Sequence, residues 1–200
     1  MTIAAIILAA GESTRMGQPK PLLPWGGTTL LAWQVAQMRA AGVDEVVVVL
    51  GHAAEEVRPA VPPEARVVVN EAYREGRASS LRCGAEAVAE PVEALLILSV
   101  DQPRPAWLSR LLIESWRQSR AAIVAPRFDG RTGHPVLVDG SLLDELRRVD
   151  EATLGLRAVM ERHAAETEAV PVANSRVDVD LNTPADYEAA LAAFERGNWH

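Results

Sequence analysis

Lysine is almost absent from this chain. Of its 20 basic residues, 19 are arginine and one, Lys20, is lysine. An arginine bias is usually a habit of the genome and says little by itself; the place of the exception says more. Lys20 stands in a Gly/Pro-rich loop near the N-terminus, and an ammonium is a compact, strongly hydrated point charge where a guanidinium is a planar fork. Cysteine is as scarce. The single Cys83 excludes an intramolecular disulfide framework and a cysteine-cluster metal site, and it reads as a small packing hydrophobe. The four histidines show no metal-ligand spacing, which removes a zinc site. Long apolar runs are missing too: the longest, Ile3–Ala10, is eight residues and far short of a spanning helix. No cationic segment precedes it, as a secretory signal would require. Positive charge is in deficit, and a net charge of −7 argues against broad binding to nucleic acid or an anionic membrane. A cytoplasmic location, with no membrane and no nucleic acid as partner, is the expectation.

What remains is 200 residues, 48% hydrophobic and 24% charged, enough for a substantial core without staples. Apolar runs alternate with helical segments. Ile3–Leu8, Glu45–Leu50, Ala65–Val69, Ala94–Val100 and Ala121–Ala125 read as strands; Leu95–Leu98 leaves no solvent face, so that strand is central. Between them, Thr29–Ala41, Ser79–Glu90 and Ala106–Gln118 carry apolar residues at helical spacing, with Trp33 and Trp116 among core positions. Val57 and Pro59 fall in a short acidic helix or turn. This rhythm predicts an α/β, three-layer fold with a mostly parallel sheet and helices on both faces. After Pro126 it loosens. Phe128–Gly140 suggests a loop and an edge hairpin. Helices are expected at Ser141–Val149 and Leu154–His163, and strand-like pieces at Ala169–Val172 and Val177–Leu181. Thr183, Pro184 and Asp186 mark the N-terminus of a last helix. No repeat or linker interrupts the chain, which is read as one domain over residues 1–200.

In open parallel sheets ligands sit beyond the carboxyl ends of the strands. The first such end is Leu8, followed by Ala9-Ala10-Gly11-Glu12-Ser13-Thr14-Arg15-Met16-Gly17-Gln18-Pro19-Lys20. Small residues at 9, 10 and 11 let the main chain approach a ligand. Gly11 and Gly17 permit backbone angles that point successive N–H groups into an anion-binding concavity, and Arg15 and Lys20 add charge. The loop is therefore either a glycine-containing surface turn or a triphosphate cradle. It is not the usual P-loop, because no Gly-Lys-Ser/Thr occurs anywhere in the chain. Nor is it the dinucleotide fingerprint: the glycine spacing is wrong, and the second strand ends in Leu50-Gly51-His52 rather than an acidic residue.

The pattern Leu8-Ala9-Ala10-Gly11, Arg15-Met16-Gly17 and Lys20 after a first strand resembles the signature of the nucleotidyltransferases with a Rossmann-like fold. Within that superfamily, Pro19-Lys20-Pro21-Leu22-Leu23-Pro24-Trp25-Gly26 resembles the molybdenum cofactor cytidylyltransferases most. The related guanylyltransferases tend to carry Gly-Gly-x-Asp-Lys after the methionine; Gln18-Pro19-Lys20 here favours CTP over GTP. Further segments are similar. Gly76-Arg77-Ala78-Ser79-Ser80-Leu81 resembles the family segment near base and ribose, and Asp101-Gln102-Pro103 its metal-binding Asp-x-Pro. Gly133-His134-Pro135 resembles the acceptor-side Gly-His-Pro loop. Asp180-Leu181-Asn182-Thr183-Pro184 is similar to Asp-Ile-Asp-Thr-Pro, with Asn182 where the family often has Asp.

The resemblance implies a transferase of molybdenum cofactor biosynthesis that moves CMP from CTP to the phosphate of molybdopterin. Leu8, Ala9, Ala10, Gly11, Gly76, Ser79 and Ser80 would bind nucleotide. Arg15, Lys20 and Asp101 would be catalytic, Asp101 and Asp180 would hold Mg²⁺, and His134 and Asn182 would face the acceptor. A transient contact with a molybdoenzyme or its chaperone would follow if the product is handed on. The chemistry suits the residues. Both reactants are anions, so charge must be neutralised locally, and Mg²⁺ held by one or two carboxylates does that. A phosphate monoester, with a second pKa of about 6, needs no general base. Taken without the resemblance, Asp101 could cap the helix after it, Ser79 and Ser80 could cap theirs, and His134 could be an ordinary loop histidine. Alternatives stay open: another NTP such as GTP, a sugar or polyol phosphate acceptor, a dinucleotide-dependent oxidoreductase, or an inactive nucleotide-binding protein.

Overall fold

A computed structural model describes residues 2–152, 155–173, 175–197 and 199. The chain opens with β1 (Ile3–Ala9), the short strands β2 (Pro24–Trp25) and β3 (Thr28–Thr29), and α1 (Leu30–Ala40). β4 (Glu45–Leu50), the single turn α2 (Ala54–Val57), β5 (Ala65–Val69), α3 (Arg77–Ala87) and β6 (Ala94–Ser99) follow. Next come α4 (Ala106–Ser119), β7 (Ile123–Phe128), β8 (Arg131–Thr132) and β9 (Val136–Asp139). The last elements are α5 (Leu143–Leu146), α6 (Leu156–Arg162), β10 (Thr167–Pro171) and α7 (Pro184–Glu195).

The main sheet runs β10-β7-β9-β6-β1-β4-β5, with β8 paired to β7. β1 is parallel to both β4 and β6, so Ala9 stands beside Leu50, and Leu8 beside Ser99. Three strand ends thus meet at one edge. Alternation builds the layers. Ile3, Ala5 and Ile7 pack with α1, α4 and Ala190 of α7 on one face; Ala4 and Ile6 pack with α3, α5 and α6 on the other. A strand buried on both faces must be apolar throughout, which is why β1 and β6 have no polar residue before Ser99. The fold is the expected Rossmann-like α/β architecture, with helices on both sides of a mostly parallel sheet.

Four expectations change. The segment after Pro126 is not an edge: β9 lies between β6 and β7, antiparallel to both, and Val136, Leu137 and Val138 are buried. Its neighbouring glycines and prolines disguise a core strand. The helix expected over Ser141–Val149 is shortened to a 3-10 turn and the four residues of α5. Val177–Leu181 makes no strand; a 3-10 turn ends at Asp178, and the extended remainder is held by side chains instead. α3 starts at Arg77 rather than Ser79, because Glu151 Oε2 accepts from the Ala78 amide at 2.8 Å and caps it from outside. The expected start at Leu154 lies outside the described residues; α6 is helical from Leu156. The capping box at Thr183 is present, with Thr183 Oγ1 accepting from Asp186 N and Asp186 Oδ2 accepting from Thr183 N at 2.8 Å. Among the described residues no helix is long and apolar enough to cross a membrane.

Candidate active site

The loop between β1 and Lys20 arches over the meeting point of the strand ends and encloses a cleft of about 320 Å³. Met16 is buried and pins the arch to the core. A turn closes it, Met16 N donating to Ser13 O at 2.8 Å, with Ser13 at φ +54° and Gly17 at φ +73°. The left-handed positions are thus 13 and 17. Gly11, expected to share that role, is not left-handed; a Cβ there would meet nothing within 4 Å, so the position borders open space. Ser13 Oγ accepts from the Lys20 amide at 3.1 Å, which fixes where the lysine leaves the backbone.

Lys20 opens a 3-10 turn and is nearly buried. Its Nζ donates to Asp101 Oδ2 at 2.7 Å, across 81 residues of sequence. Asp101 follows β6, and its carbonyl accepts from Leu181 N at 2.8 Å, so the 180–182 segment is tied to the same edge. Arg15 reaches across the cleft, Nη2 donating to Asn182 Oδ1 at 3.2 Å. Leu8, Ala9, Ala10, Gly11, Arg15, Lys20, Gly76, Ser80, Asp101 and Asn182 all line the cleft. Asn182, expected on the acceptor side, lines this cleft beside Arg15 of the β1 loop.

Three expected residues stand elsewhere. Ser79 is buried and does not line the cleft; its hydroxyl serves Ala72 O and Gly76 O and accepts from Asn70 Nδ2 at 2.8 Å. Ser80 takes the other contact from Asn70, at 3.0 Å, and does face the cleft. Asp180 does not line the cleft; its Oδ1 accepts from Gln102 Nε2 at 2.9 Å and lies 3.7 Å from Arg104 Nη2. His134 lines a second cavity of about 330 Å³ rather than the cleft. Gln102 Nε2 lies 3.4 Å from His134 Nδ1 and has no acceptor role to play, so the imidazole proton belongs on Nε2. Burial, then the Arg104 and Arg77 guanidiniums, push His134 down to about 4, and it is neutral at neutral pH.

Sequence reasoning passed over Arg77 and Arg104. Arg77, the first residue of α3, lines both cavities, and its Nη2 donates to Ser99 Oγ at 2.5 Å. Arg104 is 1% exposed. It donates to the carbonyls of His134 (2.9 Å), Val179 (2.7 Å), Val177 (2.8 Å) and Pro103 (3.3 Å), and so replaces the strand that 177–181 does not form. Burial lowers it to about 10, against the pull of Asp180, Asp101 and Asp178, and it keeps its charge at neutral pH. Gly76 sits at φ +119°, and a Cβ there would collide with the Glu151 carboxylate. Three cations and one carboxylate line the cleft, in a chain whose net charge is −7. That local excess suits a polyanion.

Among the described residues no group of three or more histidine, cysteine or acidic side chains could cage a metal ion. Asp101 is the one carboxylate lining the cleft, and only its Oδ2 is engaged by Lys20. This donor set fits an ion shared between a single protein carboxylate and a ligand's phosphates, which is how Mg²⁺ is usually held.

Residues 5–167 match the family described as the MobA-like NTP transferase domain. The chain is 31% identical over 192 residues to the nicotine blue oxidoreductase of Paenarthrobacter nicotinovorans, covering 90% of this chain and 92% of that one. It is 25% identical over 195 residues to the molybdenum cofactor cytidylyltransferase of Escherichia coli K12, covering 96% and 97%. The crystal structure of Rv0371c from Mycobacterium tuberculosis H37Rv superposes with a TM-score of 0.83 at 30% identity, covering 96% and 98%. Its manganese complex gives 0.78 at 28%.

Proposed function

The chain belongs to the MobA-like NTP transferase family, and we propose that it transfers a nucleoside monophosphate, CMP from CTP, to the phosphate of molybdopterin with release of pyrophosphate. The contact of Lys20 Nζ with Asp101 Oδ2 at 2.7 Å carries this reading. It sets the chain's one ammonium and a carboxylate beside each other in a cleft roofed by the β1 loop. An isolated ion pair of this kind has modest structural worth; in a cleft it is a pair of poles for a phosphate and its counter-cation. The molybdenum cofactor cytidylyltransferase at 25% identity over nearly the whole chain supports the acceptor and the nucleotide. Residues 1–200 act as one nucleotidyltransferase unit in this reading, in the cytoplasm.

The residues divide the work. Amides of Ala10 and Gly11 and the Ser80 hydroxyl hold the nucleotide. Arg15, whose forked donors suit phosphate oxygens, binds the outer phosphates. Lys20 stabilises the charge that builds on the leaving pyrophosphate. Asp101 would be the carboxylate for the divalent ion, with Asp180 as the second candidate; a manganese complex exists for the structural relative at 28% identity. Bound Mg²⁺ would supply charge neutralisation and orientation of the phosphates. Catalysis is then positioning and electrostatics, with no protein base. The 31% relative named as an oxidoreductase favours one second reading, a dinucleotide whose pyrophosphate occupies the same cradle. Against it, β4 ends in Leu50-Gly51-His52, with no carboxylate for a ribose.

Thermal shift with CTP, GTP, ATP, UTP and NAD, each with and without Mg²⁺, separates these. The expected result is a metal-dependent rise for CTP, followed by pyrophosphate release once molybdopterin is added. A rise with NAD alone would replace the transferase reading. A rise with CTP but no pyrophosphate from any phosphorylated acceptor would leave a nucleotide-binding protein without activity.

A further inference from the structure

The nucleotide cleft has a neighbour that shares part of its wall. Leu8, Arg77 and Ser99 line the cleft and also the second cavity of about 330 Å³. Beyond Arg77 the lining is mostly carbon, from Leu81, Ile97, Leu156 and Met160, with Glu151 and Arg157 as its other charged members. His134 stands in this cavity as a neutral ring and adds no charge to it. Arg77 itself is exposed, and Ser99 Oγ holds it through Nη2, the only Arg77 nitrogen so engaged among the described residues. A guanidinium tethered by one corner keeps its remaining donors for an anion.

Resting on the nucleotidyltransfer reading, we infer that the second cavity is the acceptor chamber and that Arg77 holds the acceptor phosphate at the junction of the two cavities. The body of the acceptor lies on Leu81, Leu156 and Met160 and is a flat ring system, its face against carbon, rather than a polyol. Two reactants must meet at one phosphorus, and the wall shared by both cavities is where they can. Hydroxyls of a sugar laid on those side chains would face carbon and lose their water, for Glu151 Oε2 already accepts from the Ala78 amide and Arg157 Nε already donates to Glu161 Oε1. In the step itself an oxygen of the acceptor phosphate attacks the α-phosphorus of the nucleotide. A new P–O–P bond forms as the bond from the α-phosphorus to its bridging oxygen breaks, and pyrophosphate leaves with the electron pair. No proton need move when the acceptor phosphate enters as the dianion.

The test titrates the whole chain, with Mg²⁺ and α,β-methylene-CTP present to block turnover, against 1-naphthyl phosphate and ribose 5-phosphate. The aromatic phosphate should bind at least about 10-fold more tightly than the sugar phosphate. Arg77→Ala should weaken the aromatic phosphate by about 10- to 100-fold, as loss of a charge-assisted contact does, and Arg77→Lys should restore only part. Met160→Glu and Leu156→Gln, far from the β1 loop, should weaken the aromatic phosphate while the nucleotide analogue binds as before; melting curves confirm that both fold. Equal affinity for the two phosphates, or undiminished binding in Arg77→Ala, would overturn the assignment while the analogue still binds. Failure of the analogue itself would overturn the transferase reading and this one with it.

Discussion

Replacing Lys20 by alanine tests the proposed chemistry most directly. Lys20 touches Asp101 at 2.7 Å, and the two side chains are 11% and 26% exposed. Such a pair lies between surface and core, so its loss should cost about 1 kcal/mol of stability and lower the melting point by about 2–4 °C. The expected effect on rate is larger. An ammonium about 4 Å from a charged oxygen is worth up to about 4 kcal/mol at an effective dielectric near 20. Asp101 takes a share of that field, which leaves about 3 kcal/mol for the transition state, or about 10²-fold in turnover. Pyrophosphate release at saturating nucleotide measures it. The decisive variant is Lys20→Ala with Asp101→Asn. If the lysine served only to neutralise the aspartate, removing both charges would restore the rate. We expect the double variant to stay at least about 10²-fold down, because each charge acts on the substrate. Recovery to within a few fold of the wild type would refute the reasoning, as would a single variant with near-normal turnover.

His134 titrates near 4 in the folded chain and near 6.5 when unfolded. Between those values the unfolded chain binds more protons, so stability should rise with pH across pH 4–6.5, by up to about 3 kcal/mol, and level off above. Urea midpoints should show that slope in the wild type and lose it in His134→Gln. Arg104→Met strands the carbonyls of His134, Val177 and Val179 and should cost about 3 kcal/mol or more, a melting point lower by about 6–12 °C; a drop under 2 °C would remove its bracing role. Ser79→Ala should lower the melting point more than Ser80→Ala, and Ser80→Ala should raise the KM for nucleotide more, since only Ser80 faces the cleft. The reverse order would exchange their roles.

Much of the fold was legible because burial on both faces leaves a plain mark. β1 is apolar throughout, β4 after Glu45 and β6 before Ser99, and no amphipathic alternative competes with that pattern. The capping box at Thr183 was legible for a similar reason: its chemistry is local. β9 was not. Val136–Asp139 is a core strand flanked by Gly133, Pro135 and Gly140, and those neighbours read as loop. Its strand character comes from β6 and β7 on either side, contacts that no short window contains. The same holds for the start of α3, which is fixed by Glu151, more than seventy residues downstream.

The site divides along the same line. Lys20 stood out because it is the one lysine, and Asp101 because it follows the most apolar strand; the 2.7 Å contact between them is a tertiary fact that two local signals anticipated. Arg15 was marked by its place in the β1 loop, but Arg77 and Arg104 carried no such signal. Arg15, Arg77 and Arg104 are three of 19 identical letters, and the chain gives them three different environments. Arg104 is sealed among four carbonyls and serves as a brace. Arg15 spans the cleft to Asn182, and Arg77 is tethered by one corner between two cavities. What a guanidinium does depends on how many of its five donors the protein has already claimed. With all spoken for it holds loops together; with most left over it awaits an anion. That count exists only once the chain has folded, which is why a sequence this rich in arginine hides the residue we propose for the acceptor phosphate.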